Sequence, residues 1–470
     1  MTIRLTRRSL LKKSAAVAVS LGATQAFPLP GVLAEPASRA KLRCVVIGVA
    51  NQGISSISAA VTEDLVAMVD VDDRHIASTM GWIKEHSPET KTEVIKTFAD
   101  YRKMFDQIGK DIDAVFVATP DHHHFPATMM AMAAGKPVYV EKPMGHSIDE
   151  VRRMAQYAKD HKIVTQMGNQ GHSGEGLRRL CEYIWAGAIG NVTETYSWAP
   201  TGRGGAGTRL PTKPVPAGLH WDEWIGPCQF RDYHDELHPL LWRSWWEFGD
   251  GSVGDWGCHN LDGPFMALKL GSPESGEALE LSGGSEERFP TMGAIRWNFP
   301  ARGNLPPVKV HWYDGYRGPV DADTPDEEKA KLQNRPPVVA ELEKKFGRDL
   351  KNGGMVFIGD KGIMVAGNYG GGPRIVPEAQ HQATPRPDKT LPRVKGTHQD
   401  DFFRAIREGT PACADFDYSA KLTEMVLLGC LAERAGAGQK VEWDAAAMQC
   451  KNRPELAPLV KREYRKGWGV

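Results

Sequence analysis

Three side-chain types that can move protons stand in two short stretches of this chain. The first is Glu141-Lys142-Pro143, which closes the apolar run Pro137-Val-Tyr-Val140. The second, far downstream, is Asp255-Trp-Gly-Cys-His259. Oxidising a hydroxyl-bearing carbon beside a nicotinamide needs such a set: a cation that favours the developing alkoxide, and a base that takes the proton. Spacing i, i+4 puts Asp255 and His259 on one helical face, with Asp262 sharing it. In isolation the same pair reads as a helix-capping aspartate and a buried structural histidine. Lys142 upstream favours the active-site reading.

The elements that must position Lys142 alternate between strand and helix. Leu42-Arg-Cys-Val-Val-Ile47 is a strand-type run, and Gly48-Val-Ala-Asn-Gln-Gly53 is a turn. A helix follows over residues 54–61, then the strand Leu65-Val-Ala-Met-Val69, ending in Asp70. This is the order of a βαβ dinucleotide unit. The first glycine permits the tight turn, and the last lets helix pack on strand. The free N–H groups of the helix N-terminus suit a pyrophosphate. Asp70 would accept from both ribose hydroxyls and repel a 2′-phosphate, which favours NAD over NADP. The usual second glycine is Ala50 here, so the motif alone also fits an ordinary strand–turn–helix corner.

Its setting decides between those readings. The strand Ala114-Val-Phe-Val117 runs into Ala118-Thr-Pro-Asp-His-His-His124, and a helix is expected over residues 126–134. Next come the strand before Glu141 and a helix opening on the capping box Ser147-Ile-Asp-Glu150. The alternation continues to about residue 165 and predicts an α/β fold with a doubly wound parallel sheet, over residues 40–165. Ligands of such sheets bind at the C-terminal strand ends. The expected cofactor contacts are Gly48, Ala50, Asn51, Gln52, Gly53 and Asp70 around the first turn. Later strand ends add Thr119, Pro120, His122, His123, Glu141 and Lys142, one of the imidazoles touching the nicotinamide ribose. Three consecutive histidines on a turn do not converge on one ion, so no metal is expected.

The chain as a whole bounds these readings. Its 470 residues allow two or three domains, and 41% hydrophobic with 25% charged residues is ordinary for a soluble globular protein. Lys plus Arg equals Asp plus Glu at 58 each, which gives no electrostatic case for nucleic acid. Thr6-Arg-Arg-Ser-Leu-Leu-Lys12 is a twin-arginine pattern, followed by an apolar stretch over residues 15–27 and the small-residue cleavage site Val32-Leu33-Ala34. Residues 1–34 read as a Tat export signal, and the mature protein is expected in the periplasm. The competing reading, an uncleaved membrane anchor, needs a span of about 20 apolar residues, longer than this stretch. Removing the five cations of residues 1–34 from 58 leaves 53 against 58 acids. The seven cysteines are scattered and form no C-x-x-C, as buried thiols would.

Together Gly48-x-Ala-x-x-Gly53, Ala118-Thr-Pro120, Glu141-Lys-Pro143 and Asp255-x-x-x-His259 resemble the Gfo/Idh/MocA oxidoreductases over nearly the whole mature chain. The resemblance implies an N-terminal Rossmann domain and a C-terminal α/β domain, here residues 166–470, with an open, largely antiparallel sheet. It also implies a homodimer or homotetramer, and sugars or cyclitols as substrates. Residues 192–198 and 308–313 alternate as strands, residues 354–365 read as a hairpin turning at 359–362, and residues 401–408 and 419–435 read as helices. Residues 202–218, 321–351 and 368–393 are long insertions.

On that resemblance Lys142, His259 and Asp255 are the catalytic residues. His259 is the general base, Lys142 binds the same hydroxyl, and Asp255 orients the ring or a second sugar hydroxyl. Which of Lys142 and His259 takes the proton first stays open. Lys142, Arg243, Trp246, Asp255 and His259 are expected to hold a carbohydrate, one or two of the clustered tryptophans facing it and the rest forming core. Three functions compete: an exported NAD-dependent sugar oxidoreductase, a glycoside hydrolase that oxidises its substrate transiently with bound NAD, and a non-catalytic sugar-binding protein. The intact Lys142, Asp255 and His259 favour the first.

Overall fold

The computed structural model describes residues 41–469 except 322, 348, 351 and 352. The export signal expected over residues 1–34 lies outside them. The first half alternates β1 (Arg43–Ile47), α1 (Gly53–Ala60), β2 (Asp64–Val69), α2 (Asp73–His86), β3 (Lys96–Phe98) and α3 (Tyr101–Ile108). It continues with β4 (Ala114–Val117), α4 (His124–Ala133), β5 (Val138–Val140), α5 (Ile148–His161) and β6 (Thr165–Met167). The six strands pair in parallel in the order β3-β2-β1-β4-β5-β6. Every residue of β4 and β5 is buried, as strands covered by helices on both faces require. The boundary expected at 165/166 falls inside β6. That strand, Thr165-Gln166-Met167, is too short and polar to be read from its pattern. The Gln166 side chain is buried, and its Nε2 donates to the His398 carbonyl at 2.6 Å.

Ser147 caps α5 by accepting from the Glu150 amide at 3.4 Å. The reciprocal half of the expected capping box is diverted, since Glu150 accepts from the amide of His146 at 2.7 Å.

The second half comprises α6 (Glu175–Trp185), β7 (Val192–Ala199), α7 (Trp221–Ile225), α8 (Gly251–Asn260), α9 (Asp262–Ala267), β8 (Ser275–Ser282), β9 (Met292–Phe299) and β10 (Val308–Gly315). After α10 (Asp326–Leu332) and α11 (Pro337–Phe346) come β11 (Gly354–Gly359), β12 (Ile363–Ala366), β13 (Arg374–Val376) and α12 (Glu378–Ala383). The chain ends through α13 (His398–Glu408), α14 (Phe416–Ala435), β14 (Lys440–Asp444), β15 (Gln449–Cys450) and α15 (Ala457–Val460). Nine strands form one open sheet in the order β13-β12-β11-β7-β10-β9-β8-β14-β15. Only the β7–β10 pair is parallel. The hairpin read at residues 354–365 is β11–β12, closed by the Gly359 amide on the Gly362 carbonyl at 2.9 Å.

Two late helices bind the halves together. α14 is buried along most of its length and packs on α5, α8 and β8. Its Glu424 takes both Arg152 Nε (2.8 Å) and Nη2 (2.7 Å) from α5. α13 sends Phe402, Phe403 and Ile406 into the cluster formed by Val46, Phe116 and Tyr139 of the parallel sheet. No helix among the described residues is long and apolar enough to cross a membrane.

Helix packing at the first turn depends on a missing side chain. A Cβ on Gly53 would lie 2.1 Å from the Gly48 carbonyl oxygen, a backbone atom that cannot swing away. Gly81, exposed within α2, has nothing within 4 Å. Gly53→Ala should therefore cost about 1–3 kcal/mol or more through overpacking, whereas Gly81→Ala should stabilise by about 0.5–1 kcal/mol through helix propensity. Denaturant midpoints of the two variants check the opposite signs.

Candidate active site

A cleft opens along the C-terminal ends of the parallel strands. Gly48 (φ +82°), Ala50, Asn51 and Gln52 line it after β1, and Asp70 lines it after β2. Gly53 is off the wall, at the helix–strand contact described above. The Asp70 carboxylate accepts from the Val49 amide at 3.0 Å and the Asp72 amide at 2.9 Å, and lies 3.2 Å from His75 Nδ1. Among the described residues the amides of Ala50, Asn51 and Gln52 donate to no protein group. Three unspent donors at a helix start, a close helix–strand approach and a carboxylate after β2 fit a dinucleotide.

Thr119, Pro120, Glu141, Lys142, Arg243 and Asp255 line the same cleft. β5 ends by pairing the Glu141 amide with the Val117 carbonyl at 2.9 Å, which delivers Lys142 to the strand mouth. From the other half, α8 presents Asp255. Lys142 Nζ donates to Asp255 Oδ1 at 2.9 Å, the two side chains being 12% and 10% exposed. Arg203 Nε reaches Asp255 Oδ2 at 2.8 Å, and Arg243 Nε lies 3.5 Å from Oδ1. Burial opposes the charge on Asp255, but Lys142, Arg243 and Arg203 more than offset it and hold the carboxyl well below the usual range. Burial likewise opposes the Lys142 charge, and Asp255 outweighs it, so the ammonium is kept.

Arg203 was not foreseen. It sits in the glycine-rich loop before α7, where its amide donates to Ser252 Oγ at 2.7 Å. The next residue, Gly204, passes so close to the chain that a Cβ would lie 1.8 Å from the Pro290 carbonyl oxygen. The repeated glycines of residues 202–205 were the available signal that this loop packs tightly.

His259 lies one helical turn beyond Asp255 and does not line the cleft. Its ring is buried, with Tyr369 edge-on at 4.9 Å, and its Nδ1 has no partner among the described residues. Burial and then the Lys142 charge lower its pKa to about 3, so the ring is neutral at physiological pH. Asp262 does not share its helix, because α8 ends at Asn260 and α9 begins at Asp262. That carboxylate turns to His172 Nδ1 (2.9 Å), Asn169 Nδ2 (3.1 Å) and the Tyr418 hydroxyl.

Two expected contacts are spent elsewhere. His122 is off the cleft wall, its nitrogens 3.2 Å from the Phe248 carbonyl and 2.8 Å from that of Trp224. Trp246 stacks on Phe289 at 3.5 Å in another pocket, and Trp224 and Trp242 are the tryptophans that line the cleft. An apolar ring chosen from a cluster by sequence has no way to declare which face it buries. His123 does line the cleft, with Nδ1 3.2 Å from the Tyr101 hydroxyl. His124 lines it too, between the carbonyls of Pro143 (2.6 Å) and Thr119 (2.9 Å). Near Asp70, ligand-type atoms of Asp72, His75 and His238 gather within 4.8 Å, a grouping able to hold a metal ion that residues so far apart in sequence did not announce. Asp72 there already accepts from Arg74 (Nη2, 2.6 Å) and lies 2.9 Å from His238 Nε2.

Glu141 lies under Lys142, taking Gln170 Nε2 at 3.1 Å and Gln52 Nε2 at 3.3 Å. Burial pushes its pKa up to about 7 against these contacts. A carboxyl raised on folding stabilises the protein in its neutral form, and that stability is lost as pH climbs from about 4.5 through 7. Gln cannot ionise. The melting temperature of Glu141→Gln relative to the unaltered protein should therefore rise across that window and level off above it. A difference that stays flat between pH 4.5 and 7 would rule out the raised carboxyl.

Comparison with known proteins agrees with this architecture. Residues 42–169 match the Gfo/Idh/MocA model described as an oxidoreductase family with an NAD-binding Rossmann fold, and residues 188–272 match that family's C-terminal alpha/beta domain. The chain is 27% identical over 248 residues to the levoglucosan dehydrogenase of Pseudarthrobacter phenanthrenivorans, which is 51% of this chain and 53% of that protein. It is 28% identical over 163 residues to a glycosyl hydrolase family 109 protein of Shewanella sp. strain ANA-3, covering 31% of this chain and 35% of that protein. The matched part is thus about half the length of these curated relatives or less. In fold, the chain is similar to GenD2 from gentamicin A biosynthesis, solved in complex with NAD, at 17% identity and TM-score 0.54 over 89% of this chain and 100% of that one. Both matched segments are thus those of the Gfo/Idh/MocA oxidoreductase family, the first its NAD-binding Rossmann fold and the second part of its C-terminal alpha/beta domain.

Proposed function

We propose that this protein is an NAD-dependent oxidoreductase acting on a secondary hydroxyl of a sugar, glycoside or cyclitol. In this proposal it is exported through the Tat route on the Thr6–Lys12 pattern and works in the periplasm as a homodimer or homotetramer. The observation that carries the catalytic part is the 2.9 Å pair between Lys142 and Asp255, made across two domains on the wall of a cleft that also holds Gly48 and Asp70. A dehydrogenase named for levoglucosan among the relatives supports a carbohydrate substrate. Asp70, already accepting from two amides, offers a negative group where a 2′-phosphate would sit, which favours NAD over NADP.

The bound dinucleotide would supply the hydride acceptor. Lys142 keeps its proton and donates to the substrate oxygen, so its charge favours the alkoxide as the C–H bond breaks. Asp255 holds that ammonium in place and is a poor base, because three cations stabilise its ionised form. His259 is the neutral acceptor, with an unpartnered Nδ1.

A second reading is favoured by the family 109 relative: a glycoside hydrolase that oxidises, eliminates, hydrates and reduces on one retained dinucleotide. One assay separates the two. Denaturing the purified protein should release NAD(H), and incubation with sugars and aryl glycosides should accumulate reduced cofactor. Aglycone release without net reduction would instead select the hydrolase, and neither signal would sink both. Lys142→Ala should lower kcat/KM by about 100- to 1,000-fold, as loss of an alkoxide-stabilising donor does, while the affinity for NAD changes little. Near-normal turnover in that variant would remove the lysine from the mechanism.

A further inference from the structure

We propose that the substrate is an acidic sugar, a uronic acid or its glycoside, whose carboxylate is held by Arg203 and Arg243. This inference rests on the oxidoreductase reading above and narrows its substrate class.

The charges around Asp255 are out of balance. One carboxylate, Asp255, is shared by three cations, Lys142, Arg203 and Arg243. Two positive charges are left over beside the group that binds the reacting hydroxyl. The neighbouring acids do not cancel them. Asp121 lines the cleft but is driven well above the usual carboxyl range by burial and by Asp250. Burial pushes the Glu141 pKa up to about 7, and His259 is neutral. A partly buried surplus of cations calls for an anion to complete it.

The two arginines also have donors to spare. Each directs Nε at Asp255. The terminal nitrogens of Arg203 have no acceptor among the described residues, and its side chain is 37% exposed. Arg243 has only a long 3.4 Å contact from Nη1 to the Leu240 carbonyl. Its guanidinium lies 4.2 Å from the Trp242 ring centroid, which fixes the plane of the fork on the cleft wall. Two planar forks match the two oxygens of a carboxylate. Arg243 lines the cleft together with Lys142, and Arg203 joins them through Asp255 from behind that lining, whereas the unspent amides that suit the pyrophosphate lie at the Gly48–Gly53 turn.

The test is equilibrium binding to the NAD-loaded protein, followed by calorimetry. Methyl uronides of gluco, galacto and manno configuration are compared with their neutral parents and with the corresponding 6-phosphates. At least one uronide should bind about 10- to 150-fold more tightly than its neutral parent, the worth of a charge-assisted hydrogen bond, and raised salt should shrink the advantage. Arg203→Gln and Arg243→Gln should each narrow the gap between acid and neutral sugar, and Arg203→Lys should restore part of it. Equal binding of neutral sugars, tighter binding of the phosphates, no binding of any uronide, or a gap that survives both glutamine variants overturns the proposal. Hydride transfer from a neutral sugar alone would keep the oxidoreductase reading while overturning this one. Absence of dinucleotide from the purified protein strikes at that broader reading instead.

Discussion

A lysine and an aspartate, each nearly nine-tenths buried, meet across the two halves of the chain. Neither charge is tolerable there alone. Little of either side chain reaches the cleft surface, so stranding one partner would leave a largely buried ion uncompensated. The fold must therefore keep the mouth of β5 and the middle of α8 in fixed relation, and much of the architecture does so. α14 packs against both α5, which follows Lys142, and α8, which carries Asp255. The ion pair formed by Arg152 and Glu424 ties α14 to α5 a second time. Site and scaffold are held by the same contacts.

Around that pair, electrostatics sorts the neighbouring groups by protonation. Asp255 remains ionised because cations surround it, whereas Glu141 one residue from Lys142 is lifted toward neutrality by burial. His123, His124 and His259 are all pushed down, chiefly by burial, to values of about 4, 4 and 3. The cleft's charge is thus concentrated at the cluster around Asp255, apart from the Asp70 carboxylate after β2. A site built in this way concentrates its field where a hydroxyl would lose its proton.

Much of this was legible in the residues. Apolar runs such as Ala114-Val-Phe-Val117 have one physical solution, a strand buried on both faces, and Gly48 and Gly53 mark a turn that admits nothing bulkier at its second position. Glu141-Lys142-Pro143 and Asp255 were legible because strand mouths and helix turns follow from local pattern. What depended on distant partners was not. Arg203 reaches Asp255 across 52 positions from a loop without regular structure. His122 is drawn off the cleft by two carbonyls more than 100 positions away. Trp246 was chosen from a cluster in which only packing decides which rings face the cleft. β6 is a strand whose polar middle residue donates to a helix of the other half. The order of the nine-stranded sheet, with β7 beside β10 and β14 beside β8, is likewise invisible to local pattern.

The insertion of α13 into the first half also bears on how the molecule can be made. Phe402 stands 5.5 Å from Phe116 and Phe403 5.7 Å from it, while Gln399 donates to Ser55 Oγ of α1 at 2.9 Å. The nucleotide-binding half therefore lacks part of its own interior until residue 406 has emerged from the ribosome. A fragment cut after residue 169 would expose an aromatic face, and the two halves mature as a single cooperative object rather than one after the other.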